Sequence, residues 1–291
     1  MTAQTELVGR ARPLYQRPVL AILLVVVLYL ITEIISEFVA RSLTGTSHGA
    51  QVLVKLGLFA IFAFIVIPQL LRLPRGRLSS TEYLQVIGLR TRVPIHRILI
   101  LAFSCYFLFA LSQLLGSLLY YSTHQGSYVF DLSRHSFFET GSVVAAVFEE
   151  LVFRGVIVTL LLGFLPRVRA VVIGAAVFAG LHLLNMFNPE HSAIWVAAQT
   201  IWAFGLGLMY AYLFVATRTI VPLIVLHYLI NGMVGVWLRG LDGQDVTSAL
   251  YGIPFFGLLP AGLAMLWGRY LWRCWESVDQ ARSLRQRLTR S

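Results

Sequence analysis

The run Ser142-Val-Val-Ala-Ala-Val-Phe-Glu149-Glu150-Leu-Val-Phe-Arg154-Gly155-Val-Ile-Val-Thr-Leu-Leu-Leu-Gly-Phe-Leu165 is long and apolar enough to cross a bilayer, yet three formal charges fall within six residues near its middle. A membrane helix needs about 20 mostly apolar residues. At about 2.5–3.5 kcal/mol for each central charge, the penalty is roughly 8–10 kcal/mol, and each Val, Leu, Ile or Phe returns only about 0.3–0.6 kcal/mol. Alone, this helix inserts marginally at best. Neighbouring helices must hold it with its polar face turned inward, so the stretch predicts a membrane bundle with a polar centre.

The rest of the chain agrees. Of 291 residues, 58% are hydrophobic and 12% charged, and the mean hydropathy is +0.77. Soluble domains carry about 25% charged residues, and a larger core cannot explain the deficit because a soluble chain must still cover its surface. Apolar runs at about 18–40, 51–71, 97–121, 142–165, 168–187, 193–215, 219–238 and 249–272 predict an all-α, polytopic transmembrane bundle of about eight spans. Three regions are expected: 1–134 with three spans and a basic loop, 135–238 as a four-span core, and 239–291 as a final span and basic tail. The basic N-terminus (Arg10, Arg12, Arg17) precedes an apolar run that is longer than a signal-peptide core and includes Glu33 and Glu37, which favours a retained anchor over a removed leader.

In a soluble protein the net charge of +10 would suggest nucleic acid. Here the bases sit in short loops and tails, where topology and anionic headgroups account for them, so no nucleic-acid partner is expected. Arg72, Arg75, Arg77, Arg90, Arg92 and Arg97 follow the second run, Arg167 and Arg169 the fourth, and Arg282, Arg285, Arg287 and Arg290 fill the C-tail. The alternate loops carry far fewer bases. Both termini are therefore expected in the cytoplasm of a prokaryotic plasma membrane, with the bilayer itself as partner. Cys105 and Cys274 form neither a disulfide framework nor a metal pattern.

Ionisable groups inside the apolar runs are the informative ones, because each is costly there. Glu150 and Arg154 are four apart, acid first, a spacing that favours an ion pair on one face. Glu149 lies about 100° around an α-helix from Glu150 and is left free to meet something else, which suits a general base. Two further runs supply His182, and His227 with Asn231 one turn later. A lone His or Asn in a membrane is usually interhelical glue. Two carboxylates, an Arg, two His and an Asn on three helices of one small bundle make glue an insufficient account. Glu33 and Glu37 near a span end are expected to meet headgroups, and Lys55 to snorkel.

Glu149-Glu150-x-x-x-Arg154, then Phe178-x-x-x-His182, then His227-x-x-x-Asn231, in this order on successive core helices, resembles the CAAX prenyl protease type 2 and bacteriocin-processing (CPBP, or Abi) family of intramembrane endopeptidases. Phe153-Arg154-Gly155 and Val221-Pro222 look similar too, and the likeness covers about residues 135–235. The resemblance implies that Glu149 activates a water, that His182 helps to hold it, and that His227 and Asn231 stabilise the oxyanion. Glu150 and Arg154 would shape the site.

The expected reaction is hydrolysis of a peptide bond in a membrane-associated protein or peptide. A metal-independent glutamate mechanism is favoured, since the chain has no His-Glu-x-x-His helix. Zinc held by Glu149, His182 and His227 is the alternative. Competing functions are a non-proteolytic immunity or scaffold protein of the same fold, and a proton-coupled transporter, which would more often show repeated halves. The sequence leaves oligomeric state open.

Overall fold

Where backbone groups meet no water, helix is the economical solution, and every regular element is helical. The computed structural model describes residues 17–44, 47–70, 80–90, 93–123, 132–189, 191–237, 253–254 and 258–288, with no strand among them. Helix α1 is Pro18–Thr44. Helix α2 begins as His48–Ile61, widens into a π-helical turn over Phe62–Val66 and ends with Ile67–Leu70. Then come α3 (Ser80–Val86), α4 (Ile95–Thr123), and α5, which runs Thr140–Glu149, Glu150–Val158 and Thr159–Leu162 without a break. Helices α6 (Arg167–His182), α7 (Ala193–Thr217), α8 (Val221–Trp237) and α9 (Leu259–Leu288) complete the order.

Five helical stretches among the described residues are long and apolar enough to cross a membrane: α1, Gly49–Leu70, Ile95–Leu119, Arg167–Phe187 and α7. The chain is an integral membrane protein of all-helical type, but the expected eight spans are not reached by that measure. The expected fourth span is α5, set apart by its three charges. The expected seventh is α8, whose 17 residues reach only about 26 Å at 1.5 Å each, against a hydrocarbon core of about 30 Å. The expected eighth begins at 249, whereas α9 starts at Leu259, and residues 249–252 and 255–257 lie outside the described ones.

The chain packs as two units, residues 1–83 and 84–291. In the first, α1 and α2 pair through aromatic contacts such as Tyr29 with Phe59, ring centroids 5.7 Å apart. Lys55 does not snorkel. It is buried and forms ion pairs with Glu33 at 3.2 Å and with Glu37, which also holds Arg41. An interhelical cation for the acids replaces the expected headgroup contact, because an unpaired ammonium at this position would be far costlier than a paired one. Tyr83, outside the spans, donates its hydroxyl to the Ala63 carbonyl at 2.7 Å, and burial pushes its pKa above the ordinary phenol range.

In the second unit α8 packs against α4 and α5, α6 against α7, and α9 against α7 and α4. Small residues allow close approach, as in many membrane interfaces. A Cβ on Gly207 of α7 would lie 3.1 Å from the Ala175 Cα of α6, and one on Gly268 of α9 would lie 2.6 Å from the Met209 Cα of α7. Between α7 and α8, Arg218 takes a left-handed conformation (φ 55°) that ends α7. Thr219 Oγ1 then accepts the Val221 N–H at 3.2 Å, and Pro222 sits in the first turn of α8, where its missing N–H is no loss. Burial, aided by the like charge of Arg167, lowers the pKa of Arg218 at this turn.

Candidate active site

The acids of α5 stand where the helix changes pitch. Residues Glu150–Val158 form a π-helix, and all nine are buried, as a helix surrounded on every side must be. The wider i→i+5 turn still leaves residues four apart nearly stacked. Arg154 Nη1 donates to Glu150 Oε1 at 2.9 Å, with both side chains out of solvent. The ion pair expected from the spacing is there.

Gly155 is where another segment comes close. A Cβ at this position would lie 2.8 Å from the Ile87 carbonyl oxygen, so only glycine lets the chain at 87–89 approach α5. Gly88 has φ +77°, and its carbonyl accepts the Ile220 N–H at 2.9 Å. This short loop ties the base of α8 to the flank of α5 at Gly155.

His227 of α8 then reaches the acid pair. Its Nδ1 lies 2.8 Å from Glu150 Oε1, and because a carboxylate only accepts, the hydrogen is on Nδ1. Sequence spacing pairs Glu150 with Arg154 and gives no sign of a second donor. One carboxylate oxygen has lone pairs for two donors, and Oε1 serves both. The other ring nitrogen, Nε2, stands 3.9 Å from Glu149 Oε2, too far for a direct hydrogen bond. The Glu149 side chain is 20% exposed and that of Glu150 0%. Oε1 of one acid is therefore held by two donors, while the other acid, partly exposed, faces an imidazole edge.

Phe178 joins the second imidazole to this centre. Its carbonyl lies 3.0 Å from His182 Nδ1 and accepts from it, which leaves Nε2 as the nitrogen outside that bond. Its own ring lies 4.9 Å from the His182 ring, 6.3 Å from the His227 ring and 5.1 Å from Phe153. The structure thus brings Glu149, Glu150, Arg154 and His227 together directly, and places His182 beside them across one phenyl ring. Asn231 sits one turn beyond His227 on α8. Its backbone carbonyl accepts from Ser136 Oγ at 2.8 Å, while the Ser136 N–H donates to the Gly232 carbonyl at 2.9 Å. The Phe137 ring packs on Gly232, where a Cβ would overlap it, and lies 5.4 Å from Tyr228. The segment before α5 is thereby fastened over the end of α8. Neither it nor the 87–89 loop carries a motif. The isolated glycines Gly88 and Gly232 were the available signals.

The zinc alternative requires Glu149, His182 and His227 to converge on one point. Among the described residues no group of three or more His, Cys, Asp or Glu side chains is arranged to hold a metal ion.

Fold and site together define a class: a helical membrane protein with an acid–imidazole centre buried among α5, α6 and α8. Residues 132–233 match the family described as Type II CAAX prenyl endopeptidase Rce1-like. The matched segment starts just before Ser136 and ends just after Asn231, so it contains every site residue named from the motifs and agrees with their resemblance. No curated protein and no solved structure matches the chain significantly.

Proposed function

We propose that the protein is an intramembrane endopeptidase that hydrolyses a peptide bond in a membrane-associated protein or peptide. The observation that carries this reading is the division of labour between adjacent acids: Glu150 is held by Arg154 and His227, while Glu149 keeps a partly exposed carboxylate 3.9 Å from His227 Nε2. Glu149 takes a proton from a water molecule, and the resulting hydroxide adds to the scissile carbonyl carbon. Glu149 then returns the proton to the departing amine. With Nδ1 donating to Glu150, His227 donates from Nε2 only as the imidazolium, which Glu150 is placed to balance. That N–H and the Asn231 amide serve the oxyanion, at roughly 3–4 kcal/mol for a well-placed donor in a site without bulk water. His182 steadies the water through its free nitrogen. The mechanism is metal-independent, and both termini face the cytoplasm of a prokaryotic plasma membrane.

The test uses a membrane-anchored reporter peptide and the purified full-length protein. Glu149→Gln keeps shape and removes the base, so cleavage should fall by about 10²–10⁴-fold while thermal unfolding is unchanged. A chelator should leave the wild-type rate unaltered. Wild-type rates in both Glu149→Gln and His227→Ala would sink the proposal. Glu149-dependent proton flux without cleavage would point to a transporter, and an intact cellular phenotype in motif variants to an immunity or scaffold role.

A further inference from the structure

We propose that Tyr210, on α7 and outside every motif, is a positioning residue of the acid–imidazole centre and acts through Arg154. The guanidinium carbon of Arg154 lies 4.2 Å from the Phe178 ring centroid and 4.8 Å from that of Tyr210. The cation is thus held by two aromatic faces contributed by two different helices. Arg154 needs this support. Its Nη1 bonds Glu150 Oε1, but among the described residues its buried Nη2 meets no hydrogen-bond partner, and the Nη1 bond by itself leaves the guanidinium plane free to turn about it. Arene faces restrain that plane, and a planar, weakly hydrated cation is the one that stacks best.

The consequence passes along the chain of contacts. Glu150 Oε1 receives Arg154 at 2.9 Å and His227 at 2.8 Å, so a guanidinium that swings away takes with it the oxygen that orients the imidazole. Tyr210 also lies beside that imidazole, ring centroids 5.9 Å apart, and touches both ends of the relay. Tyr210 is 1% exposed, and its hydroxyl has no hydrogen-bond partner among the described residues. The ring therefore carries the role, not the hydroxyl. A Tyr210 that merely fills space would support stability and leave the His227 hydrogen bond intact.

The effect on rate rests on the proteolytic reading above, but the effect on geometry does not, and the experiment separates them. Full-length protein labelled with ¹⁵N-histidine is prepared in detergent micelles, and the His227 resonances are assigned with His227→Gln. Wild type and Tyr210→Phe should show a protected, hydrogen-bonded Nδ1 proton on His227. Tyr210→Leu should lose it to exchange while remaining folded. Should Tyr210→Leu fail to fold, Tyr210→Met, which refills the volume with a flexible side chain, carries the same two outcomes. With the membrane-anchored reporter, the Leu or Met variant should lose on the order of 10–100-fold in kcat, as misplacement of a catalytic group does, with KM within about threefold. Tyr210→Phe should match wild type. A protected Nδ1 proton that persists in the folded Leu or Met variant overturns the proposal, whatever the activity. Unchanged cleavage by Glu149→Gln would overturn the proteolytic reading and leave the resonance result standing.

Discussion

Replacing Arg154 with methionine is the sharpest test of how the centre is built. The variant keeps an unbranched apolar stem between Phe178 and Tyr210 but removes the guanidinium that bonds Glu150. Glu150 is 0% exposed, so its charge cannot turn to water. Removing one partner of such a buried pair costs about 3–5 kcal/mol, because the remaining charge is left uncompensated. Glu150→Gln alone strands the guanidinium in the same way. Combining the two removes both charges, so Arg154→Met/Glu150→Gln should be less destabilised than the sum of the single changes by about 2–3 kcal/mol. Equilibrium unfolding of all four proteins in mixed micelles, with a denaturing detergent as the variable, measures this coupling. Additive effects, within about 0.5 kcal/mol, would refute the claim that the two groups neutralise one another inside the protein.

Three other substitutions probe the scaffold. Gly155→Ala puts a methyl group 2.8 Å from the Ile87 carbonyl oxygen, and since backbone cannot easily yield, unfolding should be easier by about 1–3 kcal/mol. Thr219→Val keeps the shape of a fully buried residue but removes the oxygen that accepts the Val221 N–H. A loss of about 1–2 kcal/mol is expected, seen as a lowered unfolding midpoint with Glu149-dependent cleavage retained. Lys55→Met leaves Glu33 and Glu37 without their shared cation. Their side chains are 43% and 40% exposed, so the cost is reduced to about 1–3 kcal/mol, and limited proteolysis should show the α1–α2 pair opening first.

Hydropathy made most of the fold legible. The expected spans 18–40, 51–71, 97–121, 168–187 and 193–215 fall on Pro18–Thr44, Gly49–Leu70, Ile95–Leu119, Arg167–Phe187 and Ala193–Thr217, because apolar length is a property of the local chain. The Glu150–Arg154 pair was legible for the same reason, as a spacing of four stacks in an α-turn and very nearly in a π-turn. Features that depend on remote partners were not. Lys55 finds its acids 22 and 18 residues upstream, a match fixed by the register of two helices. The π-helix at Glu150 has no residue signature, and Tyr210 is one aromatic among many until Arg154 is seen beneath it. The bond from His227 to Glu150 spans 77 residues, so no local spacing announces it.

The short loop at Ile87–Leu89 lies well upstream of residues 132–233, which carry the family match, yet it is part of their foundation. Cut down to the matched segment, the polypeptide would lose the wall against which Gly155 closes and the acceptor that seats the start of α8. A piece that keeps both contacts begins before Ile87 and includes α4, so the contacts that brace the centre reach beyond the stretch that sequence similarity outlines.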